Sequence, residues 1–457
     1  MCEKIRIELL LQYIKILLLI NIIFLSFFGI YNYEYNYQLI FSPYSSNITK
    51  IKVRDGKFAK IGIISDSQLK KNNSNNSFDF YGYNLFRALE IFKKHNIDII
   101  ILAGDITIDG EIINYLYFKE IYNSVYENNK RPIFISLMGN HDYSDKIYSK
   151  LENQKKFFKY MNSYPFSHYL INNYNFIFFS YNLIVKRKSK KEEYSWLKSR
   201  IENARKNIKK VGDPIFIISH MPPKNTVYGS ENFSGNKDLY DILKNYPEVI
   251  SISGHSHCSL RNKKSIWQGE FTALNIQSIS YIELDKNYSN YLDVINSSKN
   301  DSMGLIVSLN ENNVIFDRIQ FSNEEILEEK WNINFPMNSS NFIYKFEKMN
   351  KKIKPFFFDK NRIKIKNYNN KIFVIFKAAF HQDYVYKYKI VLKNREKKEN
   401  NKIYYYYSDY YKLKNNRQNI LKFEIPNDIN RGKYNIHIYA IDTFDNISKP
   451  KKGIINI

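Results

Sequence analysis

Five short polar clusters stand out along the 457-residue chain. They are Ser65-Asp66-Ser67-Gln68, Gly104 to Gly110 with Asp105 and Asp109, Gly139-Asn140-His141-Asp142, Ser219-His220, and Gly254-His255-Ser256-His257. Together they offer Asp66, Gln68, Asp105, Asn140, His220, His255 and His257 as donors, a mixed oxygen and nitrogen set without thiolates. Such a set suits divalent manganese, iron, zinc or cobalt rather than a soft metal or an iron–sulfur cluster. Asp66 and Gln68 are two residues apart, so at the end of an extended strand both point to one side. His255 and His257 share that spacing and can each face a different ion. One Asp-x-Gln or His-x-His alone reads as a solvated loop; five clusters in series, each behind an apolar run, do not.

The apolar runs are the elements that must position them. Ala59–Ile64, Ile97–Leu102, Pro132–Leu137, Phe176–Ser180, Pro214–Ile218 and Val249–Ile252 read as buried strands, and Tyr83–Lys94, Glu111–Asn128 and Lys191–Lys209 as helices between them. Strands alternating with helices predict an α/β domain, and such sheets place their ligands at strand ends. Residues 321–350 are polar and read as a connecting stretch. Beyond them the texture becomes alternating and tyrosine-rich, with strands expected at Lys371–Phe380, Val385–Leu392, Lys402–Leu413, Ile420–Ile425 and Lys433–Ile441. Short strands at this spacing predict a small all-β sandwich, and the closing stretch resembles the last strands of immunoglobulin-like modules.

The order of the five clusters resembles the calcineurin-like metallophosphoesterase family, whose pattern runs D-x-H, G-D, G-N-H-D, H, G-H-x-H. The resemblance covers about residues 58–320, with four of the five blocks intact. It implies an α/β fold, the four-layer α/β/β/α sandwich, with two divalent metal ions (manganese, iron, zinc or similar) at the strand ends. One ion would be held by Asp66, Gln68, Asp105 and His257; the other by Asp105, Asn140, His220 and His255, with Asp105 bridging. His141 would act on the leaving oxygen or stabilise the pentacovalent state, and Asp142 would orient His141 or a neighbouring ligand. Two ions about 3.5–4 Å apart clamp a phosphoryl group and bring bridging water toward its hydroxide form, so no protein nucleophile is required. The expected activity is hydrolysis of phosphoric esters, a phosphodiester or a phosphomonoester. Gln68 departs from the family's usual His. Its amide oxygen is a weaker, uncharged donor, which lowers affinity at the first site or shifts it toward manganese or magnesium. A metal-binding scaffold protein of the cell envelope with little or no turnover therefore stays open beside the enzyme, as does an exported nuclease.

Near the N-terminus, Lys4, Arg6 and Lys15 precede an apolar run from Ile16 to Ile30. That order is the one of a signal anchor or a signal peptide, and positive residues kept in the cytoplasm place the remainder outside it, membrane-anchored or secreted. The expected organisation is a signal segment over 1–35, the metallophosphoesterase domain over 55–322 and the immunoglobulin-like sandwich over 350–457. The stretch from His220 through Tyr281 resembles the secreted or membrane-attached bacterial branch of the family. The formal charge of +24 attracts phosphate backbones, but no nucleic-acid-binding motif accompanies it, and Lys, Asn, Ile and Tyr are abundant throughout. Two cysteines, Cys2 and Cys258, make neither a disulfide framework nor a thiolate zinc site.

Overall fold

The computed structural model describes residues 42–71, 78–126, 131–145, 147–180, 187–231, 234–283, 287–290, 292–293, 301–358, 363–369, 371–397, 400–412, 417–426 and 429–457. The expected signal segment over 1–35 lies outside the described residues, among which no helix is long and apolar enough to cross a membrane. Contacts divide the chain into Met1–Tyr44 and one larger unit, Ser45–Ile457, which carries everything below.

Two seven-stranded sheets make the first part of that unit. The strands are β1 (Tyr44–Ile51), β2 (Ala59–Ile64), β3 (Ile99–Ala103), β4 (Ile133–Leu137), β5 (Phe166–Ile171), β6 (Tyr174–Phe179), β7 (Ile215–Ser219), β8 (Val249–Ser253), β9 (Ile266–Gln268), β10 (Thr272–Asn275), β11 (Met303–Leu309), β12 (Asn313–Gln320), β13 (Glu325–Ile326) and β14 (Trp331–Asn334). One sheet runs β1-β5-β6-β7-β8-β10-β9. The other runs β13-β12-β11-β2-β3-β4, with β14 also on β12. β2, β3 and β4 are mutually parallel, and so are β6, β7, β8 and β10.

Both faces of the parallel strands are apolar, which is why they read as unbroken runs. The residue alternation then decides the packing. Ile61, Ile63, Ile99 and Ile101 join Phe176, Phe178, Phe216, Ile218, Ile250 and Ile252 in one core that draws on both sheets. Ile64, Ile100 and Leu102 face the other way, onto Leu85, Leu89 and Phe92 of helix α1 (Phe80–Lys94) and Phe118 and Ile121 of α2 (Ile112–Val125). Leu85, Leu89 and Phe92 follow helical spacing, so α1 presents one apolar stripe. Its first turn is capped by Asp79, which accepts from the Gly82 N–H at 2.8 Å, an arrangement worth about 1 kcal/mol. Helix α3 (Lys150–Met161) starts with a Ser149–Glu152 capping box. Helix α4 (Arg187–Lys206) buries Leu197 and Ile201 and sets Trp196 5.9 Å from Phe166 of β5.

The C-terminal part is β-rich. Strands β15 (Lys364–Tyr368), β16 (Lys371–Lys377), β17 (Lys387–Asn394), β18 (Lys402–Tyr407), β19 (Ile420–Ile425), β20 (Lys433–Ile441) and β21 (Lys451–Asn456) form a three-stranded sheet, β15-β16-β19, and a four-stranded sheet, β18-β17-β20-β21. Val374, Phe376, Ile390, Leu392, Phe423, Ile436 and Ile438 make their common core.

The structure adds strands that the sequence reading did not name. These are β1, β5, β9, β10, β11, β12, β15 and β21, and the stretch over 321–350 contains β13 and β14 in place of a plain connection. β14 is fixed by pairing with β12 and by Arg318, whose guanidinium lies 4.6 Å from the Trp331 ring centre. Such strands are stabilised by a partner, not by their own composition.

Candidate metal centre

All five clusters follow strand ends: Ser65–Gln68 after β2, Gly104-Asp105 after β3, Gly139–Asp142 after β4, His220 after β7 and Gly254–His257 after β8. The chain does not leave these strands in extended form. Asp66, Gln68, Asp105, His255 and His257 all have positive φ, between 44° and 67°. Left-handed backbone is unfavourable for residues with a Cβ, so the i, i+2 spacing works here through tight turns and not through a pleated strand. Hydrogen bonds across strand ends hold the turns: Asp66 N–H donates to Gly104 O at 3.0 Å, Gln68 N–H to Asp105 O at 2.9 Å, and Gly254 N–H to His220 O at 3.0 Å. The glycines of the clusters have a steric reason. A Cβ on Gly139 would meet the Asp105 carboxylate, and one on Gly104, which also has φ +93°, would meet the His220 ring.

The side chains converge. Asp105, His220 and His255 bring one donor atom each to within 4.8 Å of one another, and so do Asp66, Asp105 and His257. Asp105 belongs to both groups. His220 Nε2 lies 3.3 Å from Asp105 Oδ1 and 3.1 Å from Asn140 Oδ1, while its Nδ1 faces the Ala103 carbonyl at 2.9 Å. His257 Nε2 lies 3.1 Å from Asp66 Oδ1 and 3.4 Å from Gln68 Nε2. Gln68 thus turns its amide nitrogen toward His257, and its oxygen accepts a long 3.5 Å bond from Ser280 Oγ. The His220 and His255 ring centres are 4.9 Å apart.

Burial alone would neutralise these carboxylates. Against it, the facing His257 and His220 hold Asp66 well below the usual carboxylate range, and His220 does the same for Asp105. Reciprocally, burial disfavours charge on His220, yet Asp105 and Asp66 push it up to about 9. His255, buried and beside His220, is driven down to about 4. Asp66 Oδ1 is buried, with His257 Nε2 at 3.1 Å. Two carboxylates and three imidazoles are gathered here, and oxygen–nitrogen donors of this kind fit a pair of divalent cations.

His141 stands at the edge with its side chain 35% exposed and Nε2 3.9 Å from Asp105 Oδ2. Its Nδ1 faces the Ile108 carbonyl at 2.8 Å. Asp142 therefore does not orient the His141 ring. It is fully buried, and its oxygens accept from the N–H groups of Gly139, Ile106 and Thr107 at 2.9, 3.2 and 3.1 Å, from Thr107 Oγ1 at 3.1 Å and from Tyr115 OH at 3.3 Å. Its contacts are to the loop behind Asp105. Asp109 accepts from Glu111 N–H and Asn114 Nδ2 and closes the turn into α2. Cys258 is buried beside the His257 turn and donates to Ser256 O.

Three residues that adjoin the clusters in sequence bond to groups outside them. Tyr143 accepts from Gln154, Tyr228 meets the Tyr386 hydroxyl, and Arg261 bonds Gln320 and Glu325. Tyr281 was hidden among the chain's 39 tyrosines; its ring centre lies 4.5 Å from that of His257.

A family model described as calcineurin-like phosphoesterase matches residues 59–259, the stretch that holds every cluster. That family depends on two metal ions, and the domain carries candidate groups for them. A curated relative, described as a probable cyclic nucleotide phosphodiesterase of Xenorhabdus bovienii, is 27% identical over 208 residues, covering 43% of this chain and 78% of the relative. Among solved structures, GAP50, the anchor in the inner membrane complex of Plasmodium, is 16% identical with a TM-score of 0.43, over 62% of this chain and 92% of its own. A dimetal phosphatase from Danio rerio is 12% identical with a TM-score of 0.41, over 61% and 99%. The phosphoesterase domain thus supports metal-dependent phosphoester hydrolysis.

Proposed function

We propose that the chain is a two-metal-dependent hydrolase of phosphoric esters, working on a phosphodiester or phosphomonoester outside the cytoplasm. The observation that carries the reading is Asp105, shared by both donor groups, as a carboxylate between two cations must be. Asp66, Gln68, Asp105 and His257 would hold one ion, and Asp105, Asn140, His220 and His255 the other. When bound, the ions supply charge neutralisation for the phosphoryl oxygens and an activated water. His141, exposed beside Asp105, holds a proton for the leaving oxygen, with its ring fixed by the Ile108 carbonyl. Asp142 keeps the Ile106–Thr107 turn in place beneath it. In the same reading the phosphoesterase domain is the four-layer α/β/β/α sandwich, the C-terminal sheets are an immunoglobulin-like module, and the first 35 residues are a signal anchor or signal peptide. The diesterase branch draws support from the relative described as a phosphodiesterase.

One observation favours a second reading, a weakly active metal-binding scaffold: the Gln68 amide nitrogen, not its oxygen, faces His257. A single experiment separates the two. Metal-free protein is titrated with manganese while hydrolysis of bis-p-nitrophenyl phosphate and p-nitrophenyl phosphate is followed, with Asp105→Asn as control. Manganese-dependent turnover lost in the variant is the expected result. Silence with every divalent metal, together with one bound ion or none, would overturn the hydrolase.

A further inference from the structure

The C-terminal part exposes three phenylalanines in one place. Phe356, Phe358 and Phe380 are 46%, 54% and 48% exposed, and their ring centres are 5.0, 5.4 and 5.7 Å apart in the three pairings. The patch is built, not frayed. Phe356 and Phe380 exchange both backbone hydrogen bonds, at 3.0 and 2.8 Å, and His381 Nε2 faces the Ile353 carbonyl at 3.0 Å. In this extended segment Phe357 points inward, toward Phe376 and Tyr388, so its neighbours Phe356 and Phe358 must point out. Half-exposed rings of this size leave roughly 300 Å² of contiguous apolar surface, in the range where a patch marks an interaction site.

Lysines adjoin it in sequence. Lys351, Lys352 and Lys354 precede Pro355-Phe356 and all are exposed, as is Ile353 between them; of the exposed acids Glu347 and Asp383 that flank the segments in sequence, Asp383 is paired with Lys263 at 2.9 Å. A second copy of the chain would bring these lysine rims together, in a protein of charge +24, and like charges facing each other are unfavourable. A surface that is both apolar and negative satisfies rings and lysines at once. We propose that the Phe356–Phe358–Phe380 face, with Lys351, Lys352 and Lys354, docks on an anionic lipid bilayer, the rings entering the headgroup boundary and the ammonium groups pairing with lipid phosphates. The proposal stands apart from the metal centre and from the N-terminal segment.

The test uses Ser45–Ile457, which is one compact unit with its own cores, and vesicles of phosphatidylcholine with or without phosphatidylglycerol. Sedimentation with the anionic vesicles, weakened about tenfold or more in the Phe356→Ser/Phe358→Ser/Phe380→Ser variant at an unchanged melting temperature, is the expected result. Lys351→Gln/Lys352→Gln/Lys354→Gln should weaken binding and flatten its salt dependence; this variant alters only exposed side chains and serves alone if the serine variant does not fold. No binding by the parent chain, or equal binding by both variants, would overturn the proposal. So would a dimer that the serine variant dissolves, which would assign the face to a second copy. Hydrolysis of p-nitrophenyl esters in solution is measured alongside, so that a failed metal centre and a failed docking face are told apart.

Discussion

Tyr281 holds His257 from two directions: its ring centre lies 4.5 Å from the imidazole, and its carbonyl oxygen is 3.2 Å from Nδ1. A carbonyl on Nδ1 favours the proton on that nitrogen and leaves the Nε2 lone pair, 3.1 Å from Asp66 Oδ1, to face a cation. The ring prevents the imidazole from swinging out. Partners of this kind tune a ligand nearly as strongly as the ligand itself.

Tyr281→Ala keeps the backbone carbonyl but removes the ring. Affinity for the ion at Asp66 and His257 should fall about 10–100-fold, while the site at Asn140 and His220 changes little. Calorimetric titration of metal-free protein, which resolves two classes of site, checks this. Equal loss at both would make Tyr281 a general packing residue.

His141→Ala should lower turnover by about 10²–10⁴ and leave metal content as it is, because the side chain is exposed at the rim and its ring bonds the Ile108 carbonyl. Elemental analysis beside kinetics makes the distinction. A variant that loses metal and activity together would move His141 into the ligand set.

Gln68→His replaces an amide that turns its nitrogen toward His257 with an imidazole. Affinity at the first site should rise, with zinc gaining more than manganese. An unchanged titration with either metal would show that Gln68 is not a ligand.

Away from the centre, His168 supplies a pH dependence of folding. It is buried, its Nε2 faces Asn175 Oδ1 at 2.9 Å, and burial drives it down to about 4 from 6.5. The folded value is the lower one, so the stability it contributes is present above pH 6.5 and is lost as pH falls toward 4. At 1.36 kcal/mol per unit the full effect is about 3 kcal/mol. Urea midpoints from pH 7 to pH 4 should drop in the parent chain and drop less in His168→Gln. Parallel curves would place the acid sensitivity elsewhere.

The sequence by itself determined the donors, their order and the strands that precede them. β2 and the starts of β7 and β8 fall where the apolar runs place them, because a strand buried on both faces is a local property of composition. The crowding at Gly104 and Gly139 is of the other kind, since the atoms a Cβ would meet belong to His220 and Asp105 of other clusters. What only the tertiary structure decided is how the clusters meet. Gln68 and His257 are 189 residues apart in the chain, and that Asp105 stands between both groups follows from two sheets bringing their strand ends together, not from any spacing. The left-handed turns at Asp66, Gln68, Asp105, His255 and His257 are held by hydrogen bonds from neighbouring strand ends, so extended projection was the wrong local geometry for these residues. Asp142 is the sharpest case. Its place beside His141 in sequence suggested a partner for that ring or for a neighbouring ligand, and its two oxygens turn to the backbone 35 and 36 residues earlier, because a buried carboxylate goes where unpaired N–H groups are.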